Sequence, residues 1–377
     1  MIISRLQLSR FRNHLNTDVR WGRRMNIITG QNGAGKTNLI DAIHYLCMSR
    51  SFVATTDQYV VTSGEKEFRI DGDFEGTIRK NFKVTCTYAR GNGKKIFVND
   101  SPLDKLSDLI GMVPVVVLSP DDKRLTSDGP AERRSFIDSF ICQLSSTYLR
   151  DLIDFRRVVK QRNSLFASDK LSHSTLKNLL EPWNEQLISI GSRIVLKRSQ
   201  TLTAFGEYLE KGYELIAGIG HKPHMEYKTF TENLSDLAGI ESDYRDSLST
   251  VFEREAERQQ SLVGPHRDDI VFYLDDMELR KFGSQGQHRL FALALKIAQR
   301  DYFHDELDDL PVFLLDDVFG DLDPAKTKIL IQMLEQENGQ TFITAANKTL
   351  FKGVIKFAQD DVHFYEVQDA NVAFSPE

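Results

Sequence analysis

Long apolar runs are missing from this 377-residue chain. Nothing approaches the roughly 20 consecutive apolar residues that a membrane-spanning helix requires, so no membrane association is expected. Met1-Ile2-Ile3-Ser4-Arg5-Leu6 has no signal-peptide layout and reads as the start of a strand, which points to a cytoplasmic protein. Cysteine is scarce. Cys47, Cys86 and Cys142 lie far apart, form no CxxC pair and are odd in number, so they read as reduced, partly buried thiols. His266, His288 and His304 have no second metal ligand at helical or hairpin spacing, which argues against a zinc site. An excess of positive charge is also absent, the net charge being −6. A protein that coats DNA electrostatically is usually basic, so any DNA contact here needs a local basic surface. Repeats, low-complexity tracts and disordered tails are not apparent.

What is present is ordinary globular composition, 41% hydrophobic and 27% charged, in a chain long enough for one large domain or two of usual size. Strand-like alternation begins at Ile3, Leu6 and Leu8 and continues in the compact apolar segment Met25–Thr29. Further strands are expected at 67–74, 82–89, 95–98 and 113–118, with turn-rich links such as Arg90-Gly91-Asn92-Gly93. From about Ser127 the period becomes helical. Segments 133–141 and 144–165 are amphipathic, the latter through Leu144, Tyr148, Leu152, Phe155 and Val159. A third helix is expected after Pro182, and a fourth around Leu202, Phe205 and Leu209, with Gly191, Gly206 and Gly212 interrupting the patterns. Strand character returns at Asp269–Leu274, a helix is expected at 286–303, and strands at 312–315, Thr341–Ala345 and 363–367. These segments predict an α/β fold, a split core at 1–125 and 261–377 carrying a compact helical insertion at 126–260.

The strongest local signal is Gly30-Gln31-Asn32-Gly33-Ala34-Gly35-Lys36-Thr37. It is a GxxxxGKT sequence between an apolar strand and a predicted helix. Glycines let backbone N–H groups turn inward around phosphates, and the helix N-terminus adds partial positive charge. Lys36 is expected to reach the β- and γ-phosphates of ATP, and Thr37 to ligate Mg²⁺. The partner motif is Val312-Phe313-Leu314-Leu315-Asp316-Asp317, an apolar strand that delivers Asp316 to the Mg²⁺ shell. Asp317 follows where many such ATPases place a glutamate that activates water, and is the candidate catalytic carboxylate. Lys36 and Asp316 are 280 positions apart, far more than in a small kinase.

Phe282-Gly283-Ser284-Gln285-Gly286-Gln287 precedes a predicted helix and lies 32 residues before Asp316, counted from Ser284. Alone it is an ordinary serine cap with a glycine turn. In this order it resembles the signature of ABC-type ATPases, in which Ser284, Gln285, Gly286 and Gln287 would face the γ-phosphate held by an opposite subunit. Gly320-Asp321-Leu322-Asp323 resembles the D-loop of that class, with Asp321 and Asp323 beside the partner's nucleotide. The switch histidine of the class is missing from Phe342-Ile343-Thr344-Ala345-Ala346-Asn347, where Thr344 takes its place, so slow hydrolysis is expected.

The full set resembles the RecF family of bacterial recombination mediators, related to SMC-type ATPase heads. The resemblance also rests on residues 11–14 (FRNH), 49–52 (SRSF), 119–122 (SPDD), 129–138 (GPAERRSFID) and 263–269 (VGPHRDD). It implies an ABC-type/SMC-head P-loop core with a compact arm in place of a long coiled coil. It further implies a weak, DNA-linked ATPase that forms an ATP-dependent homodimer and binds duplex, gapped or junction DNA. Family members work with RecR and RecO to load RecA and support the SOS response.

Candidate DNA contacts are Arg150, Arg156, Arg157, Lys160 and Arg162, and a second cluster of Arg193, Lys197 and Arg198. Either group can equally be a solvated helix face. No base-reading motif is present, so these contacts would be to phosphate. Arg133 and Arg134 can tie the helical lobe to the core, and His266 and Arg267 can lie near nucleotide or cap a strand. Competing readings are a transporter ATPase subunit, which the wide motif separation disfavours, and a P-loop phosphotransferase, which has no use for Ser284–Gln287.

Overall fold

The computed structural model describes residues 1–76, 80–167, 172–218, 220–336, 339–351 and 362–375. Two compact units divide them. The first comprises Met1–Asp122, Gly212–Gly220 and Ala292–Glu377, and the second Lys123–Lys211 and His221–Phe291. The segment expected as one C-terminal half, 261–377, is therefore shared, with residues 261–291 in the second unit. The cause is local: Asp269–Leu274 pairs with Pro223–Lys228 in a small antiparallel sheet and bonds Arg133 of the helix Pro130–Leu144.

The first unit holds two six-stranded sheets. One is antiparallel, in the order His14–Arg20, Ile2–Phe11, Glu67–Glu75, Asn81–Ala89, Gly93–Val98, Ser101–Pro102. Its inward residues, Ile3, Leu6, Ile70 and Val84 among them, share one apolar core with Leu39, Ile43 and Leu46 of the helix Lys36–Met48. The other sheet has the order Asn371–Phe374, Val362–Gln368, Met25–Thr29, Thr341–Ala345, Val312–Asp316, Val115–Leu118. Five of its strands are parallel, and only Asn371–Phe374, at one edge, is antiparallel. Met25–Thr29, Val312–Asp316 and Thr341–Ala345 are buried at every position, which is why they read as largely apolar runs without a two-residue alternation. The carboxyl ends of these central strands carry the P-loop, the aspartate pair and Thr344.

The second unit is built on helices Pro130–Leu144, Ser146–Phe166, Leu237–Arg258 and most of His173–Ala217. Ser145 and Asp236 cap their helices by accepting from the backbone N–H groups of Tyr148 and Gly239. The two helices expected on either side of residue 200 are one 45-residue helix, His173–Ala217, with Pro182 inside it. At 1.5 Å per residue it runs about 68 Å. Its buried stripe, Leu180, Leu187, Ile194, Leu202, Phe205, Leu209 and Tyr213, continues without interruption and outweighs the proline and glycine penalties. Gly191 is a packing residue and not a breaker. A Cβ there would stand 2.6 Å from the Tyr244 ring and 3.1 Å from Phe155.

Candidate functional site

The strand Met25–Thr29 lies between two parallel neighbours and points its C-terminal end into the loop 30–37. Two glycines are required there. Gly30 has φ +154° and a Cβ would meet the Val367 carbonyl at 2.3 Å. Gly35 has φ +113° and a Cβ would sit 2.8 Å from the Asn13 amide. The helix begins directly at Lys36. Lys36 Nζ donates to the Gly30 and Gln31 carbonyls at 2.7 and 2.9 Å, folding its ammonium over the loop. Burial pulls its pKa below the usual lysine range, and Asp317 and Asp316 oppose that shift. A lysine ammonium at the mouth of an amide-lined loop is suited to a polyphosphate.

Asp316 ends the buried strand Val312–Asp316 and its carboxylate is almost wholly shielded. Thr37 Oγ1 donates to it, 2.9 Å from Oδ1 and 3.0 Å from Oδ2. Thr344 Oγ1 donates to Oδ1 at 2.7 Å and accepts the Asp317 backbone N–H at 2.9 Å. Burial pushes the Asp316 pKa up, the Thr344 and Thr37 hydrogen bonds hold it down, and the charge of Asp317 adds to the rise. One threonine thus fixes both aspartates at the position where a histidine was missing. Asp317 is exposed and adopts left-handed φ, +50°, which turns its side chain off the strand line. Asn32, Gly33, Gly35, Lys36, Thr37 and Asn38 line an open cavity of about 280 Å³ with Asp317 and Thr344.

Residues 11–14, which the sequence flagged without a role, hold the loop from behind. His14 Nε2 lies 3.1 Å from the Gly35 carbonyl and so carries the proton, leaving Nδ1 to accept from Thr17 Oγ1 at 2.9 Å. Asn13 Nδ2 donates to the Ala34 carbonyl at 3.2 Å and its Oδ1 accepts from Asn38 at 2.7 Å. The Ala370 N–H reaches the Ala34 carbonyl at 3.1 Å. Behind them, buried Asp41 accepts from Ser51 Oγ, from the Phe52 N–H at 2.9 Å and from Arg12 at 3.2 Å. That network explains residues 49–52. Asp41 gave no sequence signal, because a lone aspartate within a helix looks like a solvent-facing one.

Ser284 and Gln287 lie in the second unit and form a reciprocal capping box at the start of the helix Gln285–Leu307. The Gln287 N–H donates to Ser284 Oγ at 3.2 Å, and Gln287 Oε1 accepts from the Ser284 N–H at 2.8 Å. Ser284, Gln285 and Gly286 are exposed, and Phe282 beside them is 69% exposed. The start of the helix is thereby capped and exposed. Asp321 closes a 3-10 turn, Phe319–Asp321. Asp323 caps the helix Pro324–Gln336 by accepting from the Lys326 N–H at 2.9 Å, and bonding to Lys326 keeps its carboxyl below the usual range.

The basic candidates divide. Arg150, Arg156, Arg157 and Lys160 are exposed on the helix Ser146–Phe166. Arg162 is not available to DNA. It is 1% exposed, donates to Glu255 at 2.6 Å, to Ser261 at 2.9 Å and to Asn184 at 2.8 Å, and lies over the Phe166 ring. Arg198 is withdrawn for the same reason, being buried between Asp138 and Asp268 at 2.8 and 3.1 Å. Arg193 is paired to Asp151 at 2.7 Å. Arg133 makes a two-pronged contact with Asp269, at 2.7 and 2.9 Å, and His266 and Arg267 both bond the Ser261 carbonyl. All three serve the packing of the second unit.

The RecF/RecN/SMC N-terminal domain model matches residues 2–369. The chain is 41% identical over 356 residues to the DNA replication and repair protein RecF of Salinibacter ruber, covering 93% of this chain and 86% of that one. It is 36% identical to the RecF of Chloroherpeton thalassium, covering 94% and 97%. This chain belongs to the RecF family. A solved structure titled as the recombination mediator protein RecF with ATP, in the RecFOR pathway, superposes with TM-score 0.90 at 27% identity, over 99% of both chains. An Smc head bound to the C-terminal winged-helix domain of ScpA matches with TM-score 0.58 at 14% identity, which places the fold with SMC heads. As a RecF-family protein the chain is a DNA replication and repair protein with an SMC-like P-loop fold.

Proposed function

We propose that this protein is an ATP-dependent DNA-binding mediator of recombinational repair that dimerises on ATP and hydrolyses it slowly. The observation that carries this reading is the convergence of Thr37, Thr344 and Asp317 on one open cavity beside the P-loop, with Asp316 hydrogen-bonded to both threonines. Lys36 leaves the Gly30 and Gln31 carbonyls and pairs with the β- and γ-phosphates. The Thr37 hydroxyl and Asp316 carboxylate are hard oxygen donors at hydrogen-bond distance, a set that fits Mg²⁺ completed by phosphate and water oxygens. A bound Mg²⁺ would neutralise developing phosphate charge. Asp317 is the carboxylate free to orient water. Its side chain is one carbon shorter than glutamate, and Thr344 has no ring nitrogen to share the γ-phosphate, so turnover is slow.

Ser284 to Gln287 present an exposed helix N-terminus, which completes the site of a second copy of the chain. Asp321 and Asp323 lie along that partner's nucleotide. ATP shifts the monomer–dimer equilibrium only through the contacts it makes in the dimer, and the signature supplies them. Closure brings the exposed Arg150, Arg157 and Lys160 of two chains to DNA backbone phosphates. By family resemblance the protein acts in the cytoplasm with RecR and RecO, upstream of RecA and the SOS response. No helix among the described residues is long and apolar enough to cross a membrane. Light-scattering mass with and without ATP tests the reading. A doubling with ATP in the wild type and none in Ser284→Arg supports it, while a mass that ignores ATP rejects it.

A further inference from the structure

The second unit contains a second cavity, of about 260 Å³, which the nucleotide chemistry does not use. At ~30 Å³ per water molecule it holds roughly nine waters, enough for one or two side chains. Leu152, Phe155 and Pro265 give it apolar walls, and Ala131 and Ser135 stand exposed at its mouth. Its charge is unbalanced. Arg198 forms part of the lining but is already neutralised by Asp138 and Asp268. Arg156 is well exposed and meets Asp138 only at 3.8 Å. Half-buried Arg134 makes no ion pair, and its guanidinium donates from Nη1 to the Asp268 backbone carbonyl at 2.6 Å. Burial and the neighbouring Arg198 guanidinium pull its pKa down, and the more distant charges of Asp268, Asp269 and Asp138 oppose that shift without offsetting it. His266, in the wall, is held neutral because burial takes its pKa to about 4.

We infer that this cavity is a docking site for an acidic peptide segment of a partner protein, whose carboxylates pair with Arg134 and Arg156 while an apolar side chain fills the space between Leu152, Phe155 and Pro265. Half-buried guanidinium groups gain most from a two-pronged carboxylate, and arginine clusters with an adjoining apolar slot are a recurring means of reading acidic or C-terminal motifs. A DNA backbone offers the charge but no apolar group for the walls, so the peptide fits the lining better. This inference is independent of the ATP reading, because it uses no residue of the P-loop or the aspartate pair.

The test uses the full chain and a fluorescein-labelled hexapeptide, EDEDLF with a free C-terminus, followed by anisotropy. KSKSLF serves as the control. Saturable binding of EDEDLF and none of KSKSLF is expected. Arg134→Gln, Arg156→Gln and the mouth-blocking Ala131→Trp should each weaken it at least tenfold, and Arg134→Lys less than Arg134→Gln. Thermal melts identify any variant that fails to fold, and Ala131→Trp and Arg156→Gln carry the test if Arg134→Gln does. Absence of saturable binding, or binding that all three variants leave unchanged, overturns the inference. Displacement of the peptide by a short DNA duplex, with Arg134→Gln weakening both ligands equally, would assign the cavity to DNA phosphate instead.

Discussion

Replacing Asp316 by asparagine should have opposite effects with and without ATP. In the free protein Asp316 is a buried carboxylate stabilised by the hydroxyls of Thr37 and Thr344, with Asp317 as a like-charged neighbour. Asparagine keeps the shape and can still accept both hydroxyls, but it removes a charge that burial penalises. Because folding raises the Asp316 pKa, the folded state holds its proton more tightly than the unfolded chain. That group therefore costs stability above its folded pKa, and the cost disappears as pH falls below the ordinary carboxylate range. Relief of an incompletely neutralised buried charge contributes about 1–2 kcal/mol, partly reduced here by Lys36. Asp316→Asn should accordingly melt higher than wild type at neutral pH without ligand, and the difference should vanish near pH 3–4. With Mg-ATP at about a hundred times its dissociation constant, wild type gains about 2.7 kcal/mol, whereas the variant gains little because the charged oxygen donor is gone. The two melting curves should cross over on adding ligand. Differential scanning fluorimetry across pH, with and without Mg-ATP, reads both arms. A variant that melts lower than wild type in the free state would refute the electrostatic reasoning.

Four further outcomes follow from the geometry. Thr344→Val should destabilise the free protein by about 1–3 kcal/mol, since it strands the Asp317 N–H and one lone pair of Asp316, and should lower steady-state ATP hydrolysis more than nucleotide affinity. Arg162→Ala leaves Glu255 buried and unpaired, so denaturant unfolding should show a loss of about 3–5 kcal/mol. Arg157→Ala should instead leave stability within about 0.5 kcal/mol and reduce the salt dependence of DNA binding by roughly one phosphate contact. Gly35→Ala forces a side chain into φ +113° and within 2.8 Å of Asn13, so isothermal titration should find ATP binding abolished in whatever fraction folds.

The P-loop and aspartate pair were legible in the sequence because their chemistry needs adjacent residues: backbone amides of one turn, then a carboxylate at the end of one apolar strand. The buried parallel strands were legible as well, through runs such as Val312–Asp316 that tolerate no polar face. What was hidden depends on contacts across long separations. Arg162 looked like one of five surface cations, yet it continues the buried stripe of Tyr148, Leu152, Phe155, Val158 and Phe166. Its position, four residues after Val158 and four before Phe166, was the available signal. Its partner Glu255 lies 93 residues away and could not be paired to it by spacing. Pro182 and Gly191 suggested helix ends because local propensity favours them, yet the helix runs through both, and Gly191 is held there by packing against Tyr244 and Phe155. The support of the P-loop by Asn13, His14 and Ala370 joins three distant segments and left only the unexplained residues 11–14 as a trace.

The central claim, that ATP is held between the P-loop of one chain and Ser284 of another, is tested most directly by mixing two defective proteins. Lys36→Ala keeps an intact signature but cannot hold ATP, and Ser284→Arg holds ATP but has a blocked signature. Light scattering with ATP should show each alone as one chain, and an equimolar mixture should contain a two-chain species built on the single intact composite site. A mixture that stays at one-chain mass, or a Ser284→Arg protein that dimerises alone, would contradict the account.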